Sequence, residues 1–358
     1  MAEEMDTCHV CGVPRFITGE HLWLDNGDIV QARDQANRLV FMECENIEPV
    51  FRLIERTIGF PIERIVITAM RRAVRSYITH LIPQEVKEKI RKSELDPVPL
   101  ARSLTDVARY FGYGRIEILD VRNQGDPEDY LIADLYRPFS VSMVAATLQG
   151  AVEAVMGSER RMSYIQLFPG AYRVTMVNAP HPEELKGRML MQPYLHRDGG
   201  LELERCEGCG GPAGLSKYRW DFQEGIITDT VFGRRMTLIG PAELEVVFDE
   251  LEAELGESVS RVVIEAQRRF TRNGFFNLSE AASAEEFRTQ LALRGMGNLE
   301  DISVDRNRLT MKLRNAALPL FVVGIMQGVY ERALDRDSTL EWEVTRDSDL
   351  IIELRATR

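Results

Sequence analysis

Cys8-His9-Val10-Cys11-Gly12-Val13-Pro14, close to the N-terminus, returns in mid-chain as Cys206-Glu207-Gly208-Cys209-Gly210-Gly211-Pro212. The residues after the second copy repeat those after the first. Asn26-Gly27-Asp28-Ile29 is matched by Glu224-Gly225-Ile226-Ile227, and Phe51, Ile54 and Gly59 by Phe248, Leu251 and Gly256. Arg64-x-Val66-x-x-Ala69-x-Arg71-Arg72-x-x-Arg75 is matched by Arg261-x-Val263-x-x-Ala266-x-Arg268-Arg269-x-x-Arg272. The offset is 198 residues at the cysteines and 197 through the helices. Similarity at a nearly constant offset marks an internal duplication, which has to be read before any local pattern.

The correspondence continues with small insertions. Gly112-Tyr113-Gly114 answers to Gly295-Met296-Gly297, Pro138-Phe139 to Pro319-Leu320, and Gln149-Gly150-x-x-Glu153 to Gln327-Gly328-x-x-Glu331. The expected division is a first repeat over 1–178, a linker over 179–205 and a second repeat over 206–358. Each repeat is long enough to bury its own core.

Within a repeat the patterning predicts an α+β unit of antiparallel strands with helices on one face. The cysteine knuckle leads into short strands near Glu20–Leu24, Gly27–Ala32 and Arg38–Glu43. Ile47, Val50, Phe51, Ile54 and Ile58 recur at helical spacing up to Gly59, and a long helix runs from there to about Ile82, stopped by Pro83. Strands near Arg115–Val121 and Tyr130–Leu135 form a hairpin, Ser140–Met156 is a buried helix, and strands near Ser163–Gln166 and Tyr172–Val177 close the unit. The apolar interior of the linker, Met189 to Tyr194, is expected to lie against the body. Gly324-x-x-x-Gly328 is expected to permit close packing of a helix on the sheet.

A net charge of −12 argues against nucleic acid, which is bound through clustered Lys and Arg. The hydrophobic and charged fractions, 44% and 28%, are those of a globular chain. No apolar run approaches the roughly 18 to 20 residues of a membrane span, and the acidic start Met1-Ala2-Glu3-Glu4 lacks a basic leader. No membrane association and a cytoplasmic location are expected.

Five cysteines, four of them in two C-x-x-C pairs, point to metal or redox chemistry and not to a disulfide scaffold. If the halves pack about a pseudo-two-fold axis, Cys8, Cys11, Cys206 and Cys209 meet on it as one structural four-thiolate site. Two separate sites would need further ligands, and His9, His21 and Cys44 have no counterparts in the second copy. A redox dithiol would sit at a helix N-terminus, whereas these pairs precede strands. Zinc is the expected ion, and iron has the same ligand set.

The run from Glu224-Gly225-Ile226-Ile227 through Arg234-Arg235-Met236-Thr237-Leu238-Ile239 to Arg268-Arg269 resembles the N-terminal segment of the aromatic-effector sensor domains of phenol- and xylene-responsive transcription activators. The part carrying Gly295-Met296-Gly297, Asn315-Ala316, Gly324-x-x-x-Gly328-x-x-Glu331 and Glu341-Trp342 resembles the vinyl reductase-type, hydrocarbon-binding domain joined to that segment. That domain is similar in fold to vesicle-tethering transport-particle subunits. The resemblance implies two small-molecule-binding modules standing in one chain for the sensor's homodimer. The family's zinc cysteines, late in the vinyl reductase-type domain, are missing here, so the metal is not inherited from it. Nor are the activators' ATPase and DNA-binding domains present, and direct transcription activation is not expected.

By the position of the family's cavity, the candidate ligand-binding residues are Phe111, Tyr113, Tyr136, Phe139, Met143 and Tyr164 in the first unit. In the second they are Phe287, Met296, Phe321, Met326 and Trp342. Any one of these serves equally as plain core. Glu153 and Glu331, on otherwise apolar helices, are either paired structural carboxylates or polar anchors for a ligand. The arginine clusters offer either anion recognition or partners for the chain's own glutamates. No Gly-rich phosphate loop, nucleophile elbow or His/carboxylate cluster is shared by both halves.

The expected function is therefore a sensor or carrier for a hydrophobic, aromatic small molecule, clamped by one metal ion, with no catalytic residue assigned. The competing expectation is an accessory or catalytic subunit of an enzyme acting on such substrates. A protein partner and oligomers are compatible with either.

Overall fold

The computed structural model describes residues 6–181, 194, 196–256, 259–276 and 283–357. Gly12 turns the first cysteine knuckle with φ 73°, and a six-residue helix, α1 (Arg15–Glu20), comes directly after it. The sequence pattern assigns no element to residues 15–19 and starts its first strand near Glu20. Proline at position 14 sets the turn from which α1 begins, and in the second copy the same place is a 3-10 turn over Ala213–Lys217. A meander then forms from β1 (His21–Trp23), β2 (Ile29–Gln31) and β3 (Arg38–Glu43).

The helices are α2 (Glu48–Ile58), α3 (Glu63–Leu81), α4 (Gln84–Arg91) and α5 (Val98–Tyr110). Gly59, at φ 84°, ends α2 in the left-handed conformation that a side chain would disfavour. Next come β4 (Arg115–Arg122), β5 (Tyr130–Tyr136), α6 (Val141–Met156), β6 (Arg160–Phe168) and β7 (Ala171–Asn178). Ser140 caps α6 by accepting from the Met143 N–H, and Gly157 closes it.

The second half supplies β8 (Tyr218–Asp221), β9 (Ile226–Asp229), β10 (Arg234–Ile239), α7 (Pro241–Leu255), α8 (Val259–Phe270) and α9 (Ala284–Leu293). It closes with β11 (Asn298–Val304), β12 (Arg308–Arg314), α10 (Pro319–Leu334), β13 (Ser338–Val344) and β14 (Leu350–Ala356). Fold class is as expected, α+β with antiparallel sheets. Two four-stranded sheets share one strand order, β4-β5-β7-β6 and β11-β12-β14-β13. Each carries its buried helix, α6 or α10, on one face.

A third sheet, β1-β2-β3-β10-β9-β8, takes three strands from each half and joins them through β3 and β10. The halves also exchange contacts. Trp23 Nε1 donates to Leu293 O while Trp220 Nε1 donates to Tyr110 O. Gly297 N–H donates to Gly27 O while Gly114 N–H donates to Gly225 O. The main apolar core runs through both halves, with a smaller separate cluster around Ile78, Ile90 and Val155 in the first.

Gly324 and Gly328 pack elsewhere than expected. A Cβ on Gly324 would stand 2.7 Å from Ile264 O, and one on Gly328 2.6 Å from Arg268 O. Both oxygens belong to α8, so the small residues admit a neighbouring helix and not the sheet. Gly150 does the same on α6, where a Cβ would meet Arg71 O of α3 at 2.4 Å. Of the linker interior, Tyr194 does lie against the body, its hydroxyl donating to Asp28 Oδ2 at 2.7 Å. Residues 189–193 are outside the described part.

Candidate metal centre and paired cavities

The knuckles are built alike. Gly12 N–H donates to Cys8 O and Gly210 N–H to Cys206 O, both at 2.8 Å, and Gly210 repeats the φ of 73°. Cys8 N–H bonds Val13 O, and Cys206 N–H bonds Gly211 O. This brings Cys8 Sγ to 3.9 Å from Cys206 Sγ and Cys11 Sγ to 3.6 Å from Cys209 Sγ. All four sulfurs lie within 4.8 Å of one another.

None of these contacts is a disulfide, which needs sulfurs about 2.05 Å apart. Four thiolates bonded at about 2.3 Å to a tetrahedral ion stand about 3.8 Å apart, close to both cross-pairs. Gly208 leaves the room: a Cβ there would sit 2.7 Å from Cys8 Sγ. Backbone N–H groups of Cys11 and Val10 bring the Cys8 thiol down to about 6, while burial pushes Cys11 up to about 12. The four cysteines can therefore hold a metal ion, with every position filled by protein. His21 is occupied otherwise, its Nδ1 against Ile17 O at 2.9 Å, and Cys44 is buried away from the cluster.

Two cavities occupy the same wedge in the two halves. The first lies between α5, β4 and α6, holds about 80 Å³, and is lined by Leu104, Ala108, Ile118, Thr147 and Leu148 among others. The second lies between α9, β11 and α10, holds about 360 Å³, and is lined by the counterparts Phe287, Leu291, Ile302, Ile325 and Met326. Phe276 and Met296 add to its apolar wall, while Ser283, Gln290 and Arg294 bring polar groups to it. Arg294 is held by Glu43 and by Phe41 O.

Of the residues singled out from sequence, Phe287, Met296 and Met326 line the second cavity. Phe111 and Tyr113 line a separate cleft of about 600 Å³ where the halves meet. Phe139, Met143 and Phe321 are buried core, with Phe139 against Tyr113 and Phe321 against Phe248. Tyr136 stacks under Arg115, Tyr164 bonds Glu63, and Trp342 is half-buried on β13 opposite Ile352. None of these last six lines either wedge cavity.

Glu153 and Glu331 are fully buried and lie outside both cavities. Glu153 pairs with Arg71 at 2.7 Å, with Arg75 and with His181, and Glu331 pairs with Arg268 at 2.6 Å and with Arg272. The arginine clusters thus face the chain's own carboxylates. The candidates named from sequence leave out Leu100, Leu104 and Ala108, which wall the first cavity, and of Ala284, Phe287 and Leu291, which wall the second, include Phe287 alone, although each set recurs at helical spacing.

The fold and the site define a class: an α+β protein of two like sheet-and-helix units, fastened by a shared strand pair and a four-cysteine cluster able to bind a metal ion. No protein-family model and no curated protein matches the chain. Solved structures that match include an oxygen-binding H-NOX domain related to soluble guanylate cyclases and a mutant H-NOX of T. Tengcongensis. Each is 14% identical over 34% of this chain and 73% or 75% of its own, at a TM-score of 0.24. A likeness at that score assigns neither fold nor ligand. Among the described residues no helix is long and apolar enough to cross a membrane.

Proposed function

We propose that this chain is a sensor or carrier that binds a hydrophobic, aromatic small molecule in the second unit's wedge cavity, with a structural zinc ion clamping the two units. The carrying observation is the pair of equivalent wedges, one nearly filled and the other open to about 360 Å³ behind aromatic and methionine side chains. Ligand sites are concave and mostly apolar with few polar groups, and Gln290 and Arg294 supply such groups here. The resemblance to vinyl reductase-type sensor modules supports the same reading.

Zinc suits a closed set of four thiolates with tetrahedral spacing, and it would hold the knuckles together without taking part in chemistry. Titration of phenol and p-xylene into the metal-loaded chain tests the proposal. Saturable binding that Met326→Trp reduces at least tenfold is expected. Unaltered binding in that variant, or none in the parent, overturns it.

A further inference from the structure

The cleft where the halves meet is distinct from both wedges and from the cysteine cluster. Its walls include Tyr77 from α3, Phe111 and Tyr113 from the turn after α5, and Tyr194. The N-terminal end of α7 places Glu243 and Glu245 in the same wall. Glu243 Oε2 is buried and has no hydrogen-bond partner among the described residues. Neither carboxyl has an ion-pair partner among the described residues. Of the described cations facing the cleft, Arg38 is held by Asp28 at 2.7 Å and Arg197 is paired with Asp347, while Arg346 is exposed to solvent.

We propose that this cleft is a second binding site, selective for a protonated organic amine, in which Glu243 receives the ammonium group and the aromatic rings enclose its organic part. A buried carboxyl oxygen without a donor leaves one hydrogen bond unmade, and an ammonium N–H supplies it. Tyrosine and phenylalanine faces attract the same charge. An anionic ligand would meet two carboxyls, with Arg38 and Arg197 already paired to Asp28 and Asp347 and Arg346 screened by solvent. Burial holds Glu243 up to about 8, so it is mostly protonated at neutral pH, and its negative charge is felt by the phenols of Tyr77 and Tyr113. Binding of an ammonium ion there ionises Glu243 and releases its proton to solvent.

Calorimetric titration of the full chain with phenethylamine, phenethyl alcohol and phenylacetate tests this at pH 7. Buffers of different ionisation heat report the proton. The amine is expected to bind at least tenfold more tightly than its uncharged and anionic analogues and to release up to one proton. Glu243→Gln is expected to weaken the amine at least tenfold, abolish the proton release, and leave p-xylene binding in the wedge unchanged. Equal binding of the three probes, or amine binding without proton release, overturns the proposal even if the variant fails to fold. Full amine affinity in Glu243→Gln overturns it as well.

Discussion

Phe41 and Leu238 occupy the same position in the two copies and lie directly opposite each other in the β3–β10 pairing. Residues related by a two-fold axis face each other only where that axis passes between them. The neighbours agree: Val40 pairs with Ile239, and their counterparts Thr237 and Met42 pair in turn. The axis continues to the cysteines, where Cys8 meets Cys206 and Cys11 meets Cys209.

A site on such an axis holds one ion per chain, so elemental analysis of protein prepared anaerobically should return one metal equivalent. Cys206→Ser or a chelator removes the tether between the halves and should cost more than about 3 kcal/mol, read as a fall of several degrees in Tm. Two equivalents would mean separate sites.

Glu331→Ala removes the carboxylate shared by Arg268, Arg272 and the Ser338 N–H, although Arg268 keeps Glu265 and Arg272 keeps Asp337, and should destabilise the protein by about 1–3 kcal/mol in urea unfolding. Glu153 makes the pH arm of the same test. Burial pushes its carboxyl up, but His181 and Arg71 more than offset this and hold it below the ordinary 4.5. The unfolded chain therefore binds more protons in that range. The Glu153 contribution is complete above about pH 4.5 and is lost as pH falls through the lower folded value. Glu153→Gln should lessen that acid-side loss.

Glu243 has the opposite sign. Its folded value, about 8, lies above the ordinary 4.5, so folding takes up a proton and stability falls as pH rises between the two. Glu243→Gln should flatten the thermal stability profile from about pH 5 to pH 8 and raise Tm most at the alkaline end. An unchanged slope would mean that the carboxyl is solvated.

Gly328→Ala drives a methyl group against Arg268 O and the Thr271 side chain. The two helices must separate or bend, at a cost of about 1–3 kcal/mol. Gly59→Ala meets no atom but adopts φ 84°, and should cost about 1 kcal/mol by backbone strain alone. Comparing the two variants by denaturant unfolding separates crowding from conformation.

Most strands and helices are legible in the sequence because their apolar periods are regular and their ends carry glycine, proline or serine. The six-residue α1 is not, since one and a half turns give no period to read. The glycines of α10 stand out as small residues, but whether helix or sheet approaches them is a long-range fact. The candidate site splits in the same way. Phe287, Met296 and Met326 can be named from sequence, while Leu104, Ala108, Gln290 and Arg294 escape it. Arg294 in particular reads as surface until Glu43, from the other half, is seen to neutralise it.

By itself the sequence determined that one unit is present twice and that each copy opens with a thiol pair, because a duplication leaves both copies in the same linear order. It also determined the α+β class, which local period and turn chemistry dictate. Only the tertiary structure decided that the strands of one half pair with those of the other, that one wedge stays open while its counterpart fills, and that Glu243 Oε2 is buried with no hydrogen-bond partner among the described residues. Those outcomes depend on side-chain volumes and charges brought together from residues far apart in the chain, and no local pattern records them.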